Sequence, residues 1–402
     1  MSFVWELIEV CRGCRSNKLE VALELKPIPL GDRFSIKPND EPLYPLALSL
    51  CEDCGLVQLS HQVISGSIFS EPLVRSDIPD PIQADSSLQS RAASSPRKCL
   101  FIGGSLDTDN RGDRRNLVVL EDFIYRQVKT GRLNSLPWEE TINDELIGAL
   151  WDEYGEFDEI KFDNSSKSAH PLHFSNVADP RGHVGLLSSV LSRDGVVSIR
   201  APDFTSIMTH GHFGYIYHEH QCYFSTSTMQ GFFKSLGFET QQIFSTDDGL
   251  NMRYQFVRNK KTQSKTDFCD VEQADASAIR NARDRDLLLE FQSRLQTTSQ
   301  RVQRELNNVA KVKKAGFGAS VATVATMYQL GINEKLDFLV DDSVKLYDYY
   351  SPHDNLIVKD ARTSYIADRS TVFVVLAARY EDQILKRHPE LAGRAITTKM
   401  DH

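Results

Sequence analysis

The sequence predicts an α/β fold in three parts: a small N-terminal cysteine-bearing module, then two Rossmann-like units. Three observations predict it. Two Cys-x-x-Cys pairs, Cys11–Cys14 and Cys51–Cys54, fall in the first 54 residues. Two apolar runs end in glycine turns, Cys99-Leu-Phe-Ile-Gly-Gly-Ser105 and Ala315-Gly-Phe-Gly-Ala-Ser320. Between and after them, strand-like and helix-like periods alternate, the pattern of a mainly parallel sheet.

The chain has 402 residues, 41% hydrophobic and 25% charged, with a net charge of −9. These values fit a globular protein of two or three domains and argue against bulk nucleic-acid or anionic-membrane binding. No apolar run reaches the length of a membrane span. The start, Met1-Ser-Phe-Val-Trp-Glu-Leu-Ile-Glu9, has neither a basic segment nor a long apolar core, so no signal peptide and a cytoplasmic location are expected.

The two Cys-x-x-Cys pairs stand 36 residues apart. Each can offer two thiolates to one tetrahedral ion, and Gly55 after Cys54 suits a tight knuckle turn. Redox pairs or free thiols are the competing readings. With no fifth ligand apparent, a zinc site on Cys11, Cys14, Cys51 and Cys54 would be closed and structural. Leu56-Val-Gln-Leu59 reads as a short strand.

Residues 78–98 are rich in Pro, Ser and Asp and read as a linker between a module over 1–77 and a second domain over 99–260. There, Cys99 to Ile102 reads as a buried strand and Gly103-Gly104-Ser105 as its turn. Leu117-Val-Val-Leu120 is a second strand ending at Glu121, 18 residues beyond Gly103 and near the roughly 20 expected of a ribose-binding carboxylate. A simple glycine turn competes with the nucleotide reading. Leu146 to Trp151 and Val184 to Leu191 read as helices, and Phe157–Ile160 and Gly195–Arg200 as strands. Thr228 to Leu236 is a helix closed by Gly237. Thr240–Phe244 and Met252–Arg258 complete the sheet around Asp247-Asp-Gly249. In the third part, 261–402, Leu287, Phe291, Leu295, Val302, Leu306 and Val309 form one helical face. A second α/β unit follows, with strands Leu336–Val340 and Val372–Leu376. Its turn at Gly316–Ser320 can hold a phosphate or serve only as a turn.

Gly214-Tyr-Ile-Tyr-His-Glu-His-Gln-Cys-Tyr-Phe-Ser225 concentrates titratable groups. A His beside a carboxylate can act as a base near neutral pH. A solvated polar loop and a structural His are the competing readings. A metal site with His210 and His212 lacks the spacing of known motifs.

In order along nearly the whole chain stand Cys11-x-x-Cys14, Tyr44-Pro-Leu, Cys51-x-x-Cys54-Gly-Leu-Val-Gln-Leu59, Ile216-Tyr-His-Glu-His220, Tyr223-Phe-Ser225, Arg253, Gly316-Phe-Gly-Ala-Ser320 and Val340-Asp-Asp-Ser-Val-Lys345. In these the chain resembles the zinc-containing, S-adenosylmethionine-dependent C-methyltransferases of deoxysugar biosynthesis. The resemblance implies a zinc domain, a central Rossmann-like methyltransferase domain and a C-terminal Rossmann-like substrate domain. It implies that His220 takes the proton next to a ketone, with Glu219 supporting it and Tyr217 contacting sugar or enolate. It assigns the donor to Gly103, Gly104, Ser105 and Glu121, and the substrate to Tyr223, Arg253, Gly318, Ser320, Asp341 and Lys345.

The departures bear on the donor and on the substrate-binding turns. Pro72 and Val74 stand where the family has tyrosines, Phe101 replaces an acid, and Ser105-Leu-Asp107 replaces the rest of the donor motif. Arg200 replaces Glu, Ala322 a lysine, and Pro352-His353 a Pro-Gly. Each lost donor contact would cost about 1–3 kcal/mol. Three functions therefore stay open. They are a divergent C-methyltransferase, a relative that keeps the base for isomerisation, epimerisation or cyclisation, and a non-catalytic binding protein.

Overall fold

The computed structural model describes residues 5–64, 97–103, 116–134, 142–163, 172–246, 249–259, 271–309, 312–362 and 370–400. The chain is α/β throughout. No helix among the described residues is long and apolar enough to cross a membrane.

The N-terminal part holds strands β1 (Trp5–Leu7), β2 (Leu19–Ile28), β3 (Tyr44–Cys51), β4 (Val57–Leu59) and β5 (His61–Val63). Strands β2, β3 and β4 pair antiparallel in sequence, and β1 pairs β5. Both cysteine pairs sit on matching turns. Arg15 N donates to Cys11 O at 2.9 Å, and Gly55 N to Cys51 O at 2.8 Å. Both turns end on a left-handed residue: Gly55 at φ 74°, as its lack of a Cβ allows, and Arg15 at φ 67°. The second case is strained for an ordinary side chain and was not legible in the sequence.

The central part holds β6 (Cys99–Ile102), β7 (Leu117–Val119), β8 (Phe157–Phe162), β9 (Leu191–Pro202), β10 (Cys222–Tyr223), β11 (Phe238–Ser245) and β12 (Asn251–Arg258). Its helices are α1 (Leu120–Lys129), α2 (Asp144–Tyr154), α3 (Pro180–Ser188), α4 (Phe204–Thr209) and α5 (Thr226–Ser235). The sheet order is β7-β6-β8-β9-β12-β11. The first four strands are parallel, and β12 runs antiparallel to both neighbours. From Gly195 to Pro202 every residue of β9 is buried, as a strand covered on both faces requires.

Two expectations change here, and one pairing comes as an addition. The strand after the first glycine turn stops at Val119, so Glu121 lies in the first turn of α1. The helix expected over Val184 to Leu191 starts earlier, because Pro180 pre-sets φ and the Asp179 side chain caps Gly182 N. The addition is β10, which pairs with β4 of the N-terminal sheet rather than with the central sheet, Cys222 opposite Gln58. Gly104, Ser105 and the expected linker lie outside the described residues, except that its last two residues, 97–98, are described.

The C-terminal part begins with α6 (Val271–Asn308), followed by β13 (Lys313–Phe317), α7 (Val321–Leu330), β14 (Phe338–Asp341), β15 (Val358–Asp360), β16 (Thr371–Val375), α8 (Glu381–Arg387) and β17 (Ala395–Thr397). The parallel order β15-β14-β13-β16-β17 is doubly wound, with its switch point between β13 and β16. Helix α6 buries Leu288 rather than Leu287, then Phe291, Leu295, Val302 and Leu306. Asn281, Asp284 and Thr298 share that buried stripe. An apolar pattern alone could not show these polar members.

Two large cores divide the molecule. One joins the N-terminal sheet, α6, α7 and the C-terminal sheet through residues such as Leu48, Val57, Phe291, Val324 and Leu339. The other fills the central sheet and also takes in Cys11, Cys51 and Leu56. Gly31 of the N-terminal part rests on the first turn of α7: a Cβ there would stand 2.9 Å from Val321 Cα and 3.1 Å from its carbonyl oxygen. The Val321 side chain, with Cγ1 at 2.8 Å, could turn aside, but the helix backbone beneath it could not. Gly31→Ala is therefore expected to destabilise the protein by about 1–3 kcal/mol, read as a lower urea midpoint; an unchanged midpoint refutes this close approach.

Candidate functional site

The four sulfurs of Cys11, Cys14, Cys51 and Cys54 lie within 4.8 Å of one another. Cys11 Sγ is 3.5 Å from Cys54 Sγ, and Cys14 Sγ is 3.6 Å from Cys51 Sγ. A tetrahedral zinc with Zn–S near 2.3 Å needs sulfur separations of about 3.8 Å. The donor set and its closeness therefore fit zinc. Hydrogen bonding among the thiols pulls their proton affinities apart, Cys51 and Cys14 down and Cys11 and Cys54 up. A divalent cation at this site would hold all four as thiolates.

The Tyr217–His220 run is not a solvated loop. Tyr217, His218, Glu219, His220 and Tyr223 are all buried, and Glu219 is 0% exposed. A short turn, Phe213–Tyr215, turns the chain so that His220 Nδ1 meets Tyr215 O at 2.9 Å. A carbonyl only accepts, so Nδ1 carries the proton. Nε2 is then left with its lone pair and finds no hydrogen bond of good geometry among the described residues, although the Cys222 backbone also acts on the ring. Tyr223 stacks on the ring at 4.2 Å, and its hydroxyl donates to the same carbonyl at 3.3 Å. Tyr217 approaches the ring at 5.8 Å. Burial lowers both His220 and His218 to about 4. His218 packs edge-on against Tyr44.

Among the described residues no hydrogen bond joins Glu219 to His220, whose Nδ1 is held by the Tyr215 carbonyl instead. The Glu219 carboxyl faces the N-terminal loop at Asp32 and Arg33. Burial first, and the charge of Asp32 second, push its pKa well above the usual range. Neither carboxyl oxygen finds a hydrogen bond of good geometry, although the backbone at Asp32 and at Glu219 itself offers partial relief.

The C-terminal part closes over the same place. Arg379, just past the switch point, donates to Tyr215 Oη at 2.7 Å. A Cβ on Gly214 would stand 2.9 Å from Ala322 O in the first turn of α7. The site thus draws on all three parts of the chain. The sequence carries no signal for Asp32, Arg33 and Arg379, whereas Tyr215 stands within the Gly214–Ser225 run that it singles out.

Gly318, at φ 117°, ends β13. Ser320 caps α7 through a reciprocal pair with Thr323. Asp341 Oδ2 accepts from Ala319 N at 2.8 Å and Oδ1 from Ser343 N at 2.7 Å. The residue is partly exposed, but its carboxyl is enclosed, and burial raises it to about 6. Lys345 lies in the turn after β14. These four residues gather at the carboxyl ends of β13 and β14, where doubly wound sheets bind ligands.

At the carboxyl end of β6, Gly103 has φ 105°, and a Cβ would meet Asp163 O at 3.1 Å and His173 Cδ2 at 3.2 Å. Glu121 Oε1 accepts from Gly103 N at 2.7 Å, so the acid braces the turn. Asp163 ends this face, 3.1 Å from Lys161 Nζ and 4.0 Å from Arg200 Nη1. Burial works to raise Asp163, and the charges of Lys161 and Arg200 outweigh it, leaving a net lowering. Arg253 stands opposite Arg200 on β12. A glycine cradle at the switch point with an acid in reach fits the nucleoside end of a donor. The segment carrying His173 runs on to Ser175, whose carbonyl accepts from Cys222 N at 2.9 Å.

Two outcomes follow. Purified protein should carry one zinc per chain, and Cys51→Ser should lose it; less than about half an equivalent of metal in the parent, with all four thiols freely modified, refutes the metal centre. Glu219, with its raised pKa, binds its proton more tightly folded than unfolded, so its stability contribution falls as pH rises above 4.5. Glu219→Gln should accordingly raise the melting temperature at pH 8 more than at pH 5. An equal effect at both values overturns the buried, proton-holding carboxyl.

No curated protein matches the chain. Two family models do. Residues 11–69 match one described as "Putative zinc binding domain". Residues 249–398 match one described as "C-methyltransferase C-terminal domain". With a four-cysteine zinc-binding module at one end and this domain at the other, the matches support a C-methyltransferase family for this chain.

Proposed function

We propose that this protein is an S-adenosylmethionine-dependent C-methyltransferase that works next to the ketone of a nucleotide-linked deoxysugar or related keto compound. The observation that carries the reading is His220, whose Nδ1–H is tied to Tyr215 O at 2.9 Å while Nε2 keeps its lone pair. Nε2 takes the proton next to the carbonyl, and the electrons of the broken C–H bond become the enolate. A base with a pKa near 4 is weak in isolation. The enolate's negative charge favours the imidazolium that forms beside it, and burial strengthens that attraction. The stacked Tyr223 and nearby Tyr217 keep the ring from turning.

When bound, the donor would supply an electrophilic methyl group for the enolate carbon, with the electrons of the broken S–CH3 bond returning to a sulfur that leaves as a neutral thioether. Gly103 and Glu121 are the described residues that would hold its nucleoside end. Gly318, Ser320, Asp341 and Lys345 would receive the nucleotide of the substrate, with Arg253 contributing from β12 opposite Arg200. A second reading is favoured by one observation. Arg200, 4% exposed, pairs with Asp163 where the family has an acid, and Phe101 lies under Lys161. An enzyme that keeps the base but isomerises, epimerises or cyclises its substrate accounts for that ion pair.

Calorimetry with S-adenosylmethionine separates the two: heat of binding at or below millimolar donor is expected, and none at that concentration sinks methyl transfer. Across a panel of nucleotide-linked keto-deoxysugars, solvent deuterium should enter next to the ketone, and His220→Ala should slow that exchange by about 100-fold or more. Exchange at the parent rate in the variant removes His220 as the base.

A further inference from the structure

Arg12 lies between the two cysteines of the first metal knuckle, yet its side chain points away from the sulfurs into the protein, where it is 6% exposed. Its main-chain N–H donates to Gln58 Oε1 at 2.8 Å. Nη1 donates to Ala178 O at 2.6 Å. Nη2 donates to Gln62 Oε1 and to Gln221 Oε1, each at 2.9 Å. All these acceptors are neutral amides. A buried guanidinium whose hydrogen bonds all go to neutral acceptors, with Asp179 and Glu6 acting only as nearby charges and Nε already unpaired, tolerates little displacement, because each further lost bond leaves more of a cation unsatisfied.

Gln221 follows His220 directly and is itself buried. Its Nε2 donates to His218 O, at the start of the His-Glu-His run, and its own carbonyl accepts from Leu59 N at 3.1 Å. The next residue, Cys222, pairs with Gln58, the same glutamine that receives the Arg12 amide. The Tyr217–His220 loop is therefore fastened at its far end to the knuckle strand. We infer that Arg12 and Gln221 are positioning residues that couple the metal centre to the His220 loop. A bound ion would fix the Cys11–Cys14 turn, the turn aims the guanidinium, and the guanidinium holds Gln221 and with it the end of the loop that presents His220 to the Tyr215 carbonyl. The consequence for turnover rests on the proposed role of His220; the coupling itself does not.

The test uses the full chain and needs no substrate. Hydrogen–deuterium exchange is followed over residues 215–223, with 321–330 in α7 as the reference, and the ring nitrogens of His220 are followed by 15N NMR. Arg12→Met should keep one zinc per chain, speed exchange over 215–223 by about ten-fold or more, leave 321–330 unchanged and mix the two tautomers of His220. Gln221→Asn keeps an amide but shortens its reach, and it should do the same should Arg12→Met fail to fold. Removing zinc from the parent with a chelator should open the same segment. The coupling is overturned if chelation speeds exchange only around 11–14 and 51–55, or if the variants leave exchange over 215–223 and the Nδ1–H tautomer as in the parent. Failure of His220→Ala to alter catalysis would remove the base and leave this coupling intact, so the two ideas fail separately.

Discussion

The carbonyl of Tyr215 is the acceptor on which the site turns. It receives His220 Nδ1–H and the Tyr223 hydroxyl together, and this fixes which nitrogen of the imidazole is free. That carbonyl is held in place by groups outside its own part of the chain. Arg379 grips the Tyr215 hydroxyl, and Gly214 lies against the backbone of α7. A side chain at Gly214 would push the turn off α7 and move the acceptor. The proton position on one histidine thus depends on how the C-terminal unit docks.

The cores explain why such docking is firm. The N-terminal sheet shares one apolar core with α6, α7 and the C-terminal sheet, while its cysteine knuckles sit in the core of the central sheet. Helix α6 ties all parts: Arg285 pairs with Glu20, Arg294 donates to Thr209 O at 2.9 Å, and Arg301 donates to Lys399 O at 2.9 Å. His218, Glu219 and His220 are enclosed where these bodies meet. Enclosure costs free energy for each polar group. It also keeps water from competing for the lone pair of Nε2 and strengthens any charge pair formed there.

Much of this was legible in the sequence, for physical reasons. Two Cys-x-x-Cys pairs specify a tetrahedral sulfur cluster almost without reference to the rest of the fold, and buried parallel strands announce themselves as runs such as Val372–Leu376. What was not legible depends on three-dimensional neighbours. Tyr-His-Glu-His is polar in composition, so composition pointed to solvent, whereas the fold buries it. Leu287 and Leu288 are equally apolar, and only the polar members of the stripe, Asn281, Asp284 and Thr298, select the second. Glu121 was expected at a strand end free for a ribose; it lies in α1, joined to Gly103 N. Nothing in Cys222-Tyr223 announces pairing with a strand more than 150 residues earlier.

The two halves of the proposed chemistry are built with different firmness. The proposed base is over-determined: one carbonyl, two aromatic rings and a buried guanidinium all constrain the same loop. At the donor edge, Glu121 is already committed to the glycine turn, and Arg200 and Lys161 bring positive charge beside Asp163. A sulfonium is itself a cation, so extra positive charge at that edge works against it, while the carboxylates of Asp163 and Glu121 work for it. The balance is therefore set by how tightly Asp163 holds its two cations. An Asp163 fully engaged with Lys161 and Arg200 gives a neutral-to-positive edge and favours base chemistry without methyl transfer; one that releases Lys161, the more exposed of the two, restores a negative edge to the donor.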